Sequence, residues 1–151
     1  MARIKDRLQT DLTAAMRSRD ELRTATIRMA LTAITNAEVA GKQARELSDD
    51  EVIAVLSKEA KKRREAAEAF RDGGREDRAE REDAEAGVLA DYLPEPLSDD
   101  ELARLVDAAI AETGAESQRD MGKVMKAVQP QVAGRAEGSK VAAAVKARLA
   151  G

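Results

Sequence analysis

Apolar residues recur at every fourth position near the start of the chain. Ile4, Leu8, Leu12 and Met16 predict an amphipathic helix over about 3–16 with these four as its buried stripe. Ser18-Arg19-Asp20 breaks the pattern, and Asp20 is placed to cap a second helix that runs to about Ala40 and closes at Gly41. Its apolar positions, Leu22, Ile27, Met29, Ala30, Leu31, Ala33, Ile34 and Ala37, wrap most of the way round, as in the central helix of a bundle. Ser48 to Glu51 reads as a capping box. The helix it starts carries Val52, Val55 and Leu56, then loses its stripe. From Ser57 to Glu65 only Ala60 is apolar, before Ala66, Ala67 and Phe70 resume and Gly73-Gly74 ends it. The middle of this helix, roughly 35 Å long, is therefore expected to be more exposed than its ends. A fourth helix, about Arg75 to Tyr92, is acidic first and apolar later.

Pro94-Glu95-Pro96 stops regular structure and marks a domain boundary. Leu97 to Glu101 then repeats residues 47–51 letter for letter. The repeat is read as two helix starts with the same cap rather than a duplicated functional motif, because the following segments do not keep matching. The new helix carries Leu102, Leu105, Val106, Ala109 and Ile110, and Gly114 suits its C-terminal turn. Met121, Val124, Met125 and Val128 form another stripe before Pro130, and Val141, Val145 and Leu149 mark a terminal helix. The expected fold is all-α: an N-terminal bundle of about four helices over 1–93 and a small C-terminal domain of about three helices over 94–151.

Composition narrows the chemistry. The chain has 151 residues, 26 Lys+Arg against 29 Asp+Glu, 43% hydrophobic residues and 1% aromatics, with no Cys, His or Trp. Disulfides, thiolate or imidazole metal sites and Ser-His or Cys-His nucleophile pairs are excluded. One Tyr and one Phe cannot build a base-stacking platform. No apolar run approaches the 18–20 residues or so of a membrane span, and Met1–Leu12 lacks a signal-peptide core. The expectation is a cytoplasmic protein without membrane, metal or cofactor.

Asp120-Met121-Gly122-Lys123-Val124-Met125, then Pro130, then Gly134-Arg135-Ala136-Glu137-Gly138 resemble the signature of the GatB/YqeY family. Tyr92 to Ser98 resembles that family's interdomain segment, and Ile27-Arg28-Met29 a stretch of its second helix. The resemblance runs in order over nearly the whole chain. It implies similarity to stand-alone YqeY-like proteins and to the C-terminal region of the B subunit of tRNA-dependent amidotransferase. That enzyme converts mischarged glutamate or aspartate on tRNA to the amide. The resemblance further implies an all-helical fold in two pieces, with the tail piece associated with tRNA. Its family-level label is carbon–nitrogen ligase activity with glutamine as amido-N-donor. The catalytic domain of that enzyme has no counterpart here. The chain has neither an amidase nucleophile pair nor a G-x-x-x-x-G-K-[ST] phosphate loop, so no catalytic residue is assigned. Glu82-Asp83 and Asp99-Asp100 read as solvated acidic faces and first-turn charges, not a cation site.

Two basic clusters remain. Lys58, Lys61, Lys62, Arg63 and Arg64 are read as intramolecular partners of the acidic residues 72–85. A hairpin at Gly73-Gly74 would bring Arg71 near Glu76, Arg64 near Asp83 and Lys62 near Glu85. The second cluster lies in the tail: Lys123, Lys126, Arg135, Lys140, Lys146 and Arg148 are the candidate nucleic-acid contacts. Residues 94–116 are acidic and either neutralise this side or face away from it. Gly134 and Gly138 bracket Arg135, either as a tight turn or as a loop whose amides approach an anion. Gly122, inside a helix, suggests close approach of a neighbouring helix or a ligand. Tails of the resembled family often carry further lysines where this chain has Gln131 and Ala133, which points to modest affinity. The leading expectation is a non-catalytic accessory module binding tRNA or a tRNA-handling complex. The alternative is a helical protein–protein adaptor without RNA binding.

Overall fold

The computed structural model describes residues 3–150 and is all-helical across them. The chain forms two compact units, Met1–Leu93 and Pro94–Gly151.

The first unit contains α1 (Arg3–Arg17), α2 (Glu21–Glu38), α3 (Asp49–Asp72) and α4 (Glu76–Ala90). α2 packs on each of the other three, and so does α3, so the two share the centre of the bundle. α2 is capped by Asp20, whose carboxylate accepts from the Arg23 amide at 3.1 Å. Its one fully buried hydroxyl, Thr26, donates to the Leu22 carbonyl at 2.8 Å, so burial leaves no unmet donor. The helix ends at Glu38 with Val39 as its cap, two residues short of the expected Gly41 closure. Glu38 turns back to take Lys5 Nζ at 2.9 Å and the Leu47 amide at 3.3 Å.

On α1 the stripe departs from expectation. Ile4 and Leu8 are buried, Leu12 partly so, and Met16 is 50% exposed, while Ala15 is buried. Four-residue steps on a 3.6-residue helix drift by about 40° each, so by the third step Met16 has turned about 120° away and Ala15 points inward instead.

α3 also corrects the reading of its middle. Glu59 and Ala60 are buried there, and Ala67 is fully buried beyond them. Ala79 and Ala86 on α4 are buried too. These alanines stand seven apart on each helix, and small side chains at that spacing let two helix backbones approach along their length. The α3–α4 hairpin turns at Gly74, left-handed at φ +75°, with the Arg75 amide reaching the Phe70 carbonyl at 2.7 Å.

The second unit contains α5 (Asp99–Thr113), a single 3-10 turn (Gln118–Asp120), α6 (Met121–Val132) and α7 (Gly138–Ala150). Its core is built chiefly from valines: Val106, Val124, Val128, Val132, Val141 and Val145. Pro130 does not end α6, which continues to Val132, a side chain almost fully buried in that core. Core burial there outweighs the hydrogen bond that proline removes.

The repeated segments have one explanation. Ser48 accepts from the Glu51 amide at 3.3 Å while Glu51 accepts from the Ser48 amide at 3.1 Å; Ser98 and Glu101 do the same at 3.1 and 3.2 Å. The preceding leucines, Leu47 and Leu97, are buried in the same clusters as Val52 and Leu102, four positions into each helix. The repeat is a capping box with a hydrophobic staple, used twice.

Candidate nucleic-acid interface

All six cations singled out from the sequence lie in the second unit, and its fold sorts them into two groups. Lys140 Nζ meets Asp99 at 2.9 Å, Arg148 Nε meets Asp107 at 3.1 Å, and Arg135 approaches Glu101 at 4.0 Å. The acidic helix α5 thus neutralises this half of the basic side. Arg135 is further engaged: its Nε donates to the Glu95 carbonyl at 3.0 Å, and its own carbonyl accepts from the Leu97 amide at 2.9 Å. It fastens the 95–97 strap to the α6–α7 turn. The amides of Arg135 and Ala136 both donate to the Val132 carbonyl, at 2.8 and 3.2 Å, and Gly134 is left-handed at φ +76°. These amides therefore close a tight turn. The Ser98 hydrogen bonds, with Arg135 nearby, hold the Glu101 carboxyl below its ordinary range.

The other group is Lys123, Lys126 and Lys146, all exposed. The ammoniums of Lys126 and Lys146 have no partner among the described residues. Lys123 faces Asp120, whose carboxyl is held low chiefly by the Glu116 amide at 3.0 Å. Lys123 and Lys126, three residues apart, share one side of α6. Beside Lys126 lies an open groove of about 510 Å³, lined by Met125, Lys126, Gln129, Pro130 and Ala133. Pro130 has no N–H to offer the Lys126 carbonyl one turn back, so α6 lacks that helical hydrogen bond beside the groove. Gly122 is exposed, and a Cβ built on it would meet nothing within 4 Å. The close helix approach suggested by the sequence is not found; the surface above Gly122 is open.

The first basic cluster is largely internal. Lys62 pairs with Glu59 at 3.0 Å and Lys61 with Glu65 at 3.9 Å, while Arg63 reaches Glu59, Glu82 and Glu85 at 3.6, 3.7 and 3.9 Å. Arg64 is engaged as well. Lys58 is the member whose ammonium has no partner among the described residues. Of the expected cross-hairpin pairs, Arg71–Glu76 forms at 3.1 Å. Arg71 also takes Asp83, at 2.5 Å, and Glu85 goes to Arg63 and Arg81 in place of Lys62. Long side chains on a helix pair reach a full turn beyond the residue directly opposite, so register alone does not choose the partner. Glu82 is not on a solvated face: its side chain is 19% exposed against Arg63.

One group escaped the sequence reading. Arg17, Arg19 and Arg28 at the α1–α2 elbow are exposed, and their guanidiniums have no carboxylate partner among the described residues. They form no run, which hid them. A signal was present for Arg28: at one-turn spacing it has Thr24, Ala25, Leu31 and Thr32, none acidic.

Among the described residues no helix is long and apolar enough to cross a membrane, and no cluster of three or more acidic side chains is arranged to hold a metal ion. Comparison with known proteins places the whole chain. It is 35% identical over 136 residues to the altered inheritance of mitochondria protein 41, mitochondrial, of Pyrenophora tritici-repentis, covering 89% of this chain and 74% of that protein. The protein of the same name in Lachancea thermotolerans is 35% identical over 86 residues, 57% of this chain and 46% of that one. An uncharacterized protein of Schizosaccharomyces pombe is 35% identical over 92 residues, 60% of this chain and 72% of its own. The profile of the Yqey-like protein family matches residues 5–149, so that both units fall within it. With that profile spanning the fold and a relative aligned over most of both chains, the chain belongs to the YqeY-like family.

Proposed function

We propose that this chain is a non-catalytic accessory module that takes a structured RNA of the tRNA class onto the α6 side of its C-terminal unit. The observation that carries the reading is the exposed lysine pair of α6, Lys123 and Lys126, with Lys126 lining an apolar groove; Lys146 on α7 is a further exposed lysine without a partner among the described residues. Exposed lysines displace counterions from phosphates, and the Met125–Pro130 groove offers an unpaired nucleotide an apolar seat. The resemblance to the tail of tRNA-dependent amidotransferase supports tRNA as the RNA, with the chemistry of amide transfer supplied by other proteins. Arg135, Lys140 and Arg148 add to the local field while serving chiefly as internal clasps. The proposal keeps the protein in the cytoplasm; the mitochondrial designation is that of the relatives. With three phosphate contacts, log affinity falls against log salt with a slope of about −2 to −3. A tRNA titration across salt with the three lysines reversed tests it.

A further inference from the structure

Away from the lysine face, the α1–α2 elbow combines features that nothing in the RNA reading uses. Met16 is half exposed and is one of two large apolar side chains left exposed among the described residues. It borders a depression of about 420 Å³ whose walls are Arg19, Glu21, Thr24, Ala25 and Arg28. Arg28 Nη2 lies 3.6 Å from the Met16 sulfur, holding guanidinium and thioether side by side. Arg17 stands next to Met16 on the last turn of α1.

Two details make the elbow more than an incidental surface. Among the described residues Arg19 is the one non-glycine with positive φ, +59°. That left-handed position follows α1, where the Asp20 amide closes on the Ala15 carbonyl at 2.9 Å, and glycine would occupy it without strain. An arginine kept there projects a cation at the rim at a conformational cost. The acid in the wall is also silenced: Arg81 grips both oxygens of Glu21, at 2.8 and 3.1 Å, and holds its carboxyl below the ordinary range. An incoming anion meets Arg19 and Arg28 with the Glu21 charge already offset by Arg81.

We infer that the α1–α2 elbow docks an acidic amphipathic helix of a protein partner, its apolar anchor seated on Met16 and its flanking carboxylates paired with Arg19 and Arg28. Charge complementarity selects an acidic occupant, and Met and Arg are each among the residue types enriched at protein interfaces. Methionine adapts to the shape of an anchor side chain. A phosphate backbone would find cations here but leave the thioether and Ala25 unused. The depression has room for one anchor, and carboxylates one turn either side of it fall on the same face of a helix. The inference does not depend on RNA binding.

The test uses the full chain and an array of helical 15-residue peptides whose central anchor is Leu or Ser and whose one-turn flanks are Glu, Gln or Lys. Wild type is expected to hold the Leu-anchored, Glu-flanked peptides at least ten-fold more tightly than those with Gln flanks or a Ser anchor. R19E/R28E should invert the preference to Lys flanks, M16S should abolish the Leu-over-Ser discrimination, and K123E/K126E should leave both unchanged. Methyl NMR of the five methionines should show the Met16 signal shifting with the preferred peptide. Circular dichroism identifies any variant that fails to fold, in which case the Met16 shift in wild type decides. The inference is overturned if flank charge has no effect on binding, or if the Met16 signal stays in place. It also falls if inorganic polyphosphate shifts that signal and displaces the peptide, which would make the elbow a phosphate site. Self-association that M16S abolishes would give the surface to a second copy of the chain instead.

Discussion

Arg63→Met removes the cation at the centre of the α3–α4 hairpin while keeping most of its side-chain volume. The guanidinium sits 3.6 to 3.9 Å from Glu59, Glu82 and Glu85, whose side chains are 11%, 19% and 17% exposed, and it is itself 23% exposed. Its Nε and the Glu82 Oε2 are buried without a hydrogen bond, so the attraction is Coulombic. At these distances each pair contributes about 4–5 kcal/mol gross at an effective dielectric of about 20, most of it offset by desolvation. After substitution Glu59 retains Lys62 and Glu85 retains Arg81, but Glu82 has no other cation among the described residues. Breaking a buried pair costs about 3–5 kcal/mol, and partial solvent access brings the expectation here to about 3 kcal/mol. Adding Glu82→Gln removes the stranded charge and should return about half of the loss. Tyr92, the single tyrosine, is buried in this unit, so its fluorescence in urea reports the unit's own unfolding. The midpoint should fall by roughly 1–2 M for Arg63→Met. A loss under about 0.5 kcal/mol, or no recovery in the double variant, would refute the reasoning.

Three further expectations rest on the same fold. Burial, with Asp11 beside the hydroxyl, pushes Tyr92 up to about 12, so the fold favours the neutral phenol. That stability is complete below the ordinary value of 10.0 and is lost as pH rises through about 12. An ultraviolet titration should place the midpoint there, and Asp11→Asn should lower it only partway because burial is the larger cause. Arg45 and the Ser48 amide hold Glu51 down to about 2, so its contribution is present above 4.5 and fades as pH falls from there. Glu51→Gln should flatten that acid limb in urea midpoints measured across pH. Gly122→Ala should stabilise the C-terminal unit by about 0.5–1 kcal/mol, since the added methyl meets nothing within 4 Å; a lower melting temperature would contradict this.

Much of the fold could be read from periodicity and punctuation. Asp20, Ser48 and Ser98 cap the helices they precede, and Gly74 and Gly114 turn left-handed at the ends of theirs. Where the structure differs, the physical causes are the angular drift of four-residue spacing on a 3.6-residue helix and the close packing that small residues allow. Met16 looked inward because its spacing was four, and the middle of α3 looked exposed because alanine was given little weight. The stripe before Pro130 does not show that α6 runs on to Val132, because the burial that carries it past the proline is tertiary. The candidate interface was half legible. Sequence located the six cations, but only the packing of α5 against α6 and α7 separates clasps such as Lys140 and Arg148 from Lys126 and Lys146, which have no partner among the described residues. The Arg19–Met16–Arg28 elbow arises from a left-handed turn and a helix drift, neither visible as a motif.

The central claim is tested most directly by tRNA binding across a salt series, with duplex DNA as control, for wild type, K123E/K126E/K146E and K140E/R148E. The account predicts preference for tRNA over DNA and a wild-type slope of about −2 to −3. The triple lysine variant should lose binding while remaining folded, whereas K140E/R148E, which breaks the pairs to α5, should lose stability more than slope. Weak, salt-insensitive binding to both nucleic acids, or undiminished tRNA binding by the triple variant, would contradict it.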